Sequence, residues 1–206
     1  MDSQQNNTEQ RILEAAEREF MDKGFAGART TAIAQAAGVT HAMFHYYFRT
    51  KEKLFERILS EKVMLIRDIM LDSIGNTDMS LYDKVRETIA KHLDFLAANP
   101  ELPRFLINEI VYHPERRQYL LSVINTNAPL LVANLQHQID SLADHGECRR
   151  VDARMLILDI ISLNILSFVA APMVNLLLGD LAADRQAFIE MRKKENVDTI
   201  LRKLRP

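Results

Sequence analysis

Apolar residues recur along this chain at spacings of three and four, the period that puts one stripe of an α-helix against a core. Ile12, Leu13, Ala16 and Phe20 predict a first helix running from Thr8 to Gly24, where a glycine ends it. Two short helices follow, one from Thr30 or Thr31 to Gly38 and one capped by Thr40 and ending near Phe48. Thr50 caps a long fourth helix over 51–73, apolar at Leu54, Phe55, Ile58, Leu59, Val63, Leu65 and Ile66, and a loop is expected over 75–78. A fifth helix over 81–98 carries Leu81, Val85, Ile89, His92 and Leu96 and stops at Asn99-Pro100. A sixth carries Leu102, Phe105, Leu106, Glu109, Ile110 and His113 on one face and breaks at Pro114. Helical spacing continues over 115–144, with a kink or break expected at Pro129, and His145 to Cys148 reads as a loop. An eighth helix, Asp152 to Leu178, is apolar all round; a ninth, Leu181 to Leu204, is amphipathic and has Arg202, Lys203 and Arg205 at its C-terminal end, where cations are favoured. Strand-like alternation is missing, so the chain reads as all-α with about nine helices.

Composition agrees with this reading. Of 206 residues, 48% are apolar, enough for a substantial core, while Trp is absent and Gly and Pro number six each. The formal net charge of −2 gives no global attraction to nucleic acid or membrane. A single cysteine, Cys148, excludes an intramolecular disulfide framework and suits a reducing cytoplasm. No signal peptide is visible in the polar start 1–7. The stretch from Ile160 to Gly179 has no charged residue and is long enough to cross a membrane, but Ser162, Asn164, Ser167, Pro172 and Asn175 favour a helix buried on both sides, and no membrane partner is expected.

The segment 30–48 carries the chemistry. Ile33, Ala34, Ala37, Val39 and Phe44 are small or apolar where two short helices must pack, and Gly38 occupies the turn. Thr40, His41, His45 and Tyr46 fall on the opposite side, the division a DNA-reading helix needs. Within 27–53 the charged residues are Arg29, Arg49, Lys51 and Lys53 against Glu52 alone, whereas the first helix is acidic. Thr30, Thr40, Tyr47 and Lys51 are suited to phosphate oxygens. The bland alternative is an ordinary three-helix corner.

Residues 8–60 resemble the N-terminal domain of the TetR/AcrR family of transcriptional regulators. The resemblance rests on Gly24-Phe25, Ile33-Ala34, Ala37-Gly38-Val39, His45 to Phe48, and Thr50 to Phe55, in order and spacing. It implies a helix-turn-helix DNA-binding domain over 1–52 and a larger helical domain over 53–206 that senses a ligand and dimerises. It further implies a homodimer, paired through the eighth and ninth helices, on a near-palindromic double-stranded operator. The expected protein is a cytoplasmic, ligand-responsive regulator acting as a repressor, and not an enzyme. By position, Thr30 matches a phosphate contact of the second helix. Thr31, His41, Met43 and His45 match the places from which bases are read, and Tyr46, Tyr47 and Lys51 match backbone contacts. Two departures stand out: Arg29 replaces the first of two threonines, which would shift the cap of the second helix, and Ala42 replaces a glycine within the DNA-facing set.

The remaining candidates concern the sensing half, where a small, apolar effector is expected. His92, Glu109 and His113 lie on apolar stripes, so each either has a structural partner or faces a ligand. Phe95, Phe105 and Phe168, with Met64, Met70, Met155 and Met173, either line a pocket or fill core. No metal site is expected: His41 and His45, four residues apart, form the one histidine pair at ligand spacing, and DNA contact accounts for them better. Cys148, beside Arg149 and Arg150, reads as an incidental surface thiol or a redox sensor. No cofactor loop or catalytic constellation is seen. Two rival readings are a DNA-binding protein without an effector and a helical carrier or enzyme using the C-terminal cavity; a membrane-anchored regulator is a third.

Overall fold

The computed structural model describes residues 2–76, 78–124 and 128–206. Regular structure among them is entirely helical: α1 (Asp2–Gly27), α2 (Thr30–Ala36), α3 (His41–Phe48), α4 (Lys51–Gly75), α5 (Leu81–Ala98), α6 (Leu102–Tyr112), α7 (Pro114–Ile124), α8 (Ala128–Asp144), α9 (Ala153–Val169), α10 (Ala171–Leu178) and α11 (Arg185–Leu204), with one 3₁₀ turn over Gly179–Ala182. The chain forms two compact units, Met1–Val63 and Met64–Pro206, and α4 belongs partly to each.

In the first unit, Ile12, Ala16 and Phe20 of α1 are fully buried, as are Ile33 of α2, Phe44 of α3 and Leu54 of α4. Phe55 meets Phe20 edge-on at 5.0 Å between centroids and Phe25 at 4.9 Å. Each such Ile, Leu or Phe side chain contributes about 1.5–3 kcal/mol by leaving water. The opening turns of α4 supply Leu54, Phe55, Ile58 and Leu59 to this core, which is why the unit runs on to Val63 and past residue 52. Helix α1 begins at Asp2, ahead of the start expected at Thr8, because neither Gly nor Pro interrupts the polar run before it. Its regular path ends at Gly24 (φ 66°, ψ 175°), a backbone state open to glycine.

In the second unit, α5 is the central helix. Leu81, Val85, Ile89, Leu93 and Leu96 pack with Leu156 and Ile160 of α9 and Ile200, Leu201 and Leu204 of α11 in one core. The single eighth helix expected over 152–178 is corrected to two, α9 and α10, turned by 82°. Pro172, in the first turn of α10, has no N–H to continue the α9 ladder. No single helix among the described residues is therefore long and apolar enough to cross a membrane. The last helix starts at Arg185, not Leu181, because the Asp184 side chain accepts from the N–H groups of Gln186 and Ala187, both at 3.0 Å. The expected helical stretch 115–144 appears as α7 and α8, each with a proline in its first turn, Pro114 and Pro129; residues 125–127 between them, and Thr77 of the expected 75–78 loop, lie outside the described set.

Two other expectations change. Cys148 is buried, its Sγ 3.5 Å from the Ile139 carbonyl, and burial pushes its thiol up rather than down, which opposes thiolate chemistry. Met64, Met155 and Met173 are exposed, and of the four methionines weighed as pocket or core only Met70 packs against the core.

Candidate nucleic-acid interface

The turn between α2 and α3 is closed from both ends of the chain segment. Ala37 caps α2, and the N–H groups of Gly38 and Val39 return to the carbonyls of Gln35 and Ala34, each at 3.0 Å. Gly38 takes φ +64°, which an L side chain rarely adopts. From α1, the Arg11 guanidinium donates to the Ala37 carbonyl and to the Gly38 carbonyl at 3.1 Å. It thereby satisfies the free carbonyl end of α2, where a cation is also favoured by the helix dipole. A Cβ added at Gly38 would stand 2.6 Å from the Arg11 Nη2. Arg11 supports the turn in a way that the sequence pattern did not reveal, since a single arginine in a charged helix carries no spacing signal.

Thr40 caps α3 by accepting from the Met43 N–H at 3.2 Å, and Thr50 caps α4 by accepting from the Lys53 N–H at 3.2 Å, as the sequence predicted. Phe44 and Phe48 point into the core, leaving His41, Ala42, Met43, His45 and Tyr46 exposed on one side, with Tyr46 72% exposed. Thr31 is exposed and Thr30 half-buried; the Thr30 Oγ1 is 3.1 Å from the His41 Nε2, joining α2 to α3. The His41 and His45 rings lie edge-to-face, centroids 4.4 Å apart. The His45 Nδ1 sits 2.8 Å from the Arg49 carbonyl, at the end of α3 where Arg49 turns to φ 55°. Tyr47 is half-buried, its ring 5.2 Å from that of Tyr46. Neither α2 nor α3 has an Asp or Glu.

Lys51, expected at a phosphate, is held inside its own unit. Its Nζ donates to the carbonyls of Phe25 at 2.9 Å and Ala28 at 3.1 Å and lies 4.4 Å from the Phe25 ring centroid. Arg29 occupies the N-cap of α2 with extended backbone and no side-chain cap, so the cap stays in place although the usual hydroxyl is missing. Its N–H instead donates to the Glu19 carboxylate at 3.3 Å, and Glu19 is held below its ordinary range, chiefly by its hydrogen bond from Lys23.

In the second unit, His92 is buried between α5 and α9. The Asn196 side-chain amide donates to the Asn164 Oδ1 at 2.8 Å, and the Asn164 Nδ2 donates to the Ile89 carbonyl and the His92 Nδ1, both at 3.2 Å. Burial pushes the His92 imidazole down to about 4. Phe95 is partly buried on the same helix. Glu109, buried on α6, is paired with Arg116 of α7, and the His113 Nε2 lies 4.0 Å from the same carboxylate. Phe105 and Phe168 are buried, the latter with the Arg185 guanidinium 5.8 Å from its ring centroid.

The sequence profile described as Bacterial regulatory proteins, tetR family, matches residues 12–58, which include α2 and α3. Over those residues the chain is similar to the tetR family of bacterial regulatory proteins. Its relatives are regulators of transcription, not enzymes. It is 35% identical over 103 residues to the HTH-type transcriptional repressor SCO4008 of Streptomyces coelicolor, covering 50% of this chain and 49% of that one. It is 31% identical over 124 residues to the HTH-type transcriptional repressor NicS of Pseudomonas putida, covering 57% and 56%. The chain thus spans about half the length of the curated relatives it matches. Beyond the matched half, the fold is shared with the transcriptional regulator FadR from Bacillus subtilis, solved in complex with stearoyl-CoA, at TM-score 0.69, 17% identity, and coverage of 94% and 98%.

Proposed function

We propose that this chain is a TetR-family, ligand-responsive, dimeric repressor that binds a near-palindromic operator through α2 and α3. The observation that carries the reading is the two-sided α3: Phe44 and Phe48 hold it to the core while His41, Met43, His45 and Tyr46 are exposed on a face without a carboxylate. Thr30, Thr31, Thr40, Ala42, Tyr47 and Lys51 surround that face, the hydroxyls serving phosphates and the α3 residues meeting base edges. Lys51 serves by fixing the end of α1, and reaches a phosphate only by leaving its carbonyls.

Dimerisation through α9 and α11 is supported by an apolar face of α9 left in water: Met155, Leu158 and Leu166 are about half exposed opposite the buried stripe of Leu156, Ile160 and Asn164. Paired in this way, two α3 helices would enter successive major grooves, about 34–36 Å apart. An apolar effector in the second unit, near His92, Phe95, Phe105, Glu109, His113 and Phe168, would bind the two states of the protein unequally and so shift DNA affinity. The Arg116 partner of Glu109 supports a structural part for that carboxylate. A chain of the same fold holding stearoyl-CoA supports an apolar effector.

The test is selection of bound sequences from random duplex DNA, repeated with a small-molecule extract. An inverted-repeat sequence should be retained and then released by a component of the extract. Retention without any sequence preference would overturn the operator reading, and retention that no extract reverses would favour a DNA-binding protein without an effector.

A further inference from the structure

The hydrogen bond from His45 to Arg49 decides more than the end of α3. A carbonyl oxygen only accepts, so the His45 Nδ1, 2.8 Å from the Arg49 carbonyl, must carry the proton. In the neutral ring this leaves Nε2 as a bare acceptor. The side chain is exposed on the same face as His41 and Met43, so this Nε2 is available to a base edge in the groove. Held by a carbonyl of its own chain at one nitrogen, the ring cannot exchange tautomers without giving up that bond.

We propose that His45 sets base preference by hydrogen-bond polarity: neutral, it accepts from an exocyclic amine, and protonated, it donates to guanine. This inference rests on the DNA-binding reading above. Major-groove edges divide by polarity: cytosine offers only the N4 donor, guanine only the N7 and O6 acceptors and thymine the O4 acceptor, whereas adenine offers both the N6 donor and the N7 acceptor. A neutral His45 therefore favours cytosine or adenine at its position and leaves guanine facing a lone pair. Adding a proton to Nε2 turns the acceptor into a donor while the Arg49 bond stays intact, so the same rotamer now fits guanine. Protonation changes the partner without moving the helix.

The groups facing His45 are the His41 ring, centroids 4.4 Å away, and the buried Phe44 ring, 5.4 Å away; the Arg49 main chain holds Nδ1. Helix α2, which packs against α3, has no ionisable side chain. No carboxylate is present on α2 or α3 to hold the proton when DNA is absent. Phosphates of bound DNA would bring negative charge to this face, which favours the protonated ring. His41 is a competing site, since two imidazolium rings at this spacing repel. Its own Nε2 is engaged by the Thr30 hydroxyl, 3.1 Å away, and it is less free to meet a base through that atom.

The experiment is selection of bound sequences by the full chain at pH 8 and again at pH 5.5, followed by affinity measurements on single-base variants of the selected operator. At one position in each half-site, cytosine should be preferred over guanine at pH 8 and guanine over cytosine at pH 5.5, with a change in preference of about tenfold, as expected for one good base contact. Replacing that guanine by 7-deazaguanine should lower affinity at pH 5.5 and leave it unchanged at pH 8. The reversal should persist in His41→Gln and vanish in His45→Gln, whose amide can donate or accept at either pH. An operator bound with the same preference at both pH values overturns this inference and leaves the DNA-binding reading standing. Failure to retain any DNA sequence at either pH overturns both. A reversal that survives in His45→Gln transfers the effect to another residue and overturns the assignment.

Discussion

Acidification should unlock the second unit through His92, and the size of the effect follows from its partners. The Asn196 amide donates to the Asn164 Oδ1, which points the Asn164 Nδ2 at the Ile89 carbonyl and the His92 Nδ1. Asn164 cannot turn its amide over without setting two donors against each other, so the His92 Nδ1 must remain an acceptor and the ring neutral. A proton at Nδ1 would face a donor in a site where His92 is only 2% exposed. Burial accordingly depresses the imidazole from 6.5 to about 4. The folded state therefore resists a proton that the unfolded chain accepts. The stabilisation is complete above pH ~6.5, is lost as pH falls from ~6.5 through ~4, and declines no further below that. The full loss is about 3 kcal/mol, of which about 2.5 kcal/mol is reached by pH 4.5. Denaturant unfolding followed by circular dichroism at pH 7.5 and 4.5 measures it by comparing the protein with its His92→Gln variant. The parent should lose about 2.5 kcal/mol more than the variant between the two pH values. Proton NMR gives a direct check, with one histidine titrating near 4. Equal losses in the two proteins, or six histidines all titrating above pH 6, would refute the reasoning.

Gly38→Ala forces a side chain into positive φ and pushes Arg11 off the α2 carbonyls. It should destabilise the first unit by about 3 kcal/mol, read in thermal melts of the parent and variant, and a change under about 0.5 kcal/mol would show that the clamp is dispensable. Asn164→Leu removes the centre of the buried amide chain and leaves the Asn196 amide and the His92 Nδ1 unpaired. It should cost about 2–4 kcal/mol in denaturant unfolding, and a neutral result would mean that the chain relaxes into other partners. Replacing both Leu158 and Leu166 by Glu should lower the sedimentation mass of the proposed dimer toward that of one chain at micromolar concentration; an unaltered mass would place the interface elsewhere.

The local geometry of the candidate interface was largely legible in the sequence, and the reason is its locality. The turn glycine, the Thr40 and Thr50 caps and the division of α3 into Phe44 and Phe48 against His41, His45 and Tyr46 depend on residues within one or two helical turns. The helical breaks were only partly legible. Pro172 was visible as a residue, but an unbroken apolar run hid its effect, because hydropathy alone does not register a missing N–H. The Asp184 cap was overlooked for a similar reason: an aspartate in a polar loop gains meaning from the two amides it meets.

By itself the sequence determined the helical period, the Thr40 and Thr50 caps, the turn and the uncharged breadth of 160–179. Only the tertiary structure decided which polar groups have partners. Arg11 meets the carbonyls of Ala37 and Gly38, Lys51 meets those of Phe25 and Ala28, and Asn164 joins Ile89 and His92 to Asn196. Those partners lie tens of residues apart along the chain. Periodicity fixes which face of a helix is buried, whereas a hydrogen bond requires a particular donor and acceptor to meet within about 3 Å, a condition set by how the helices pack.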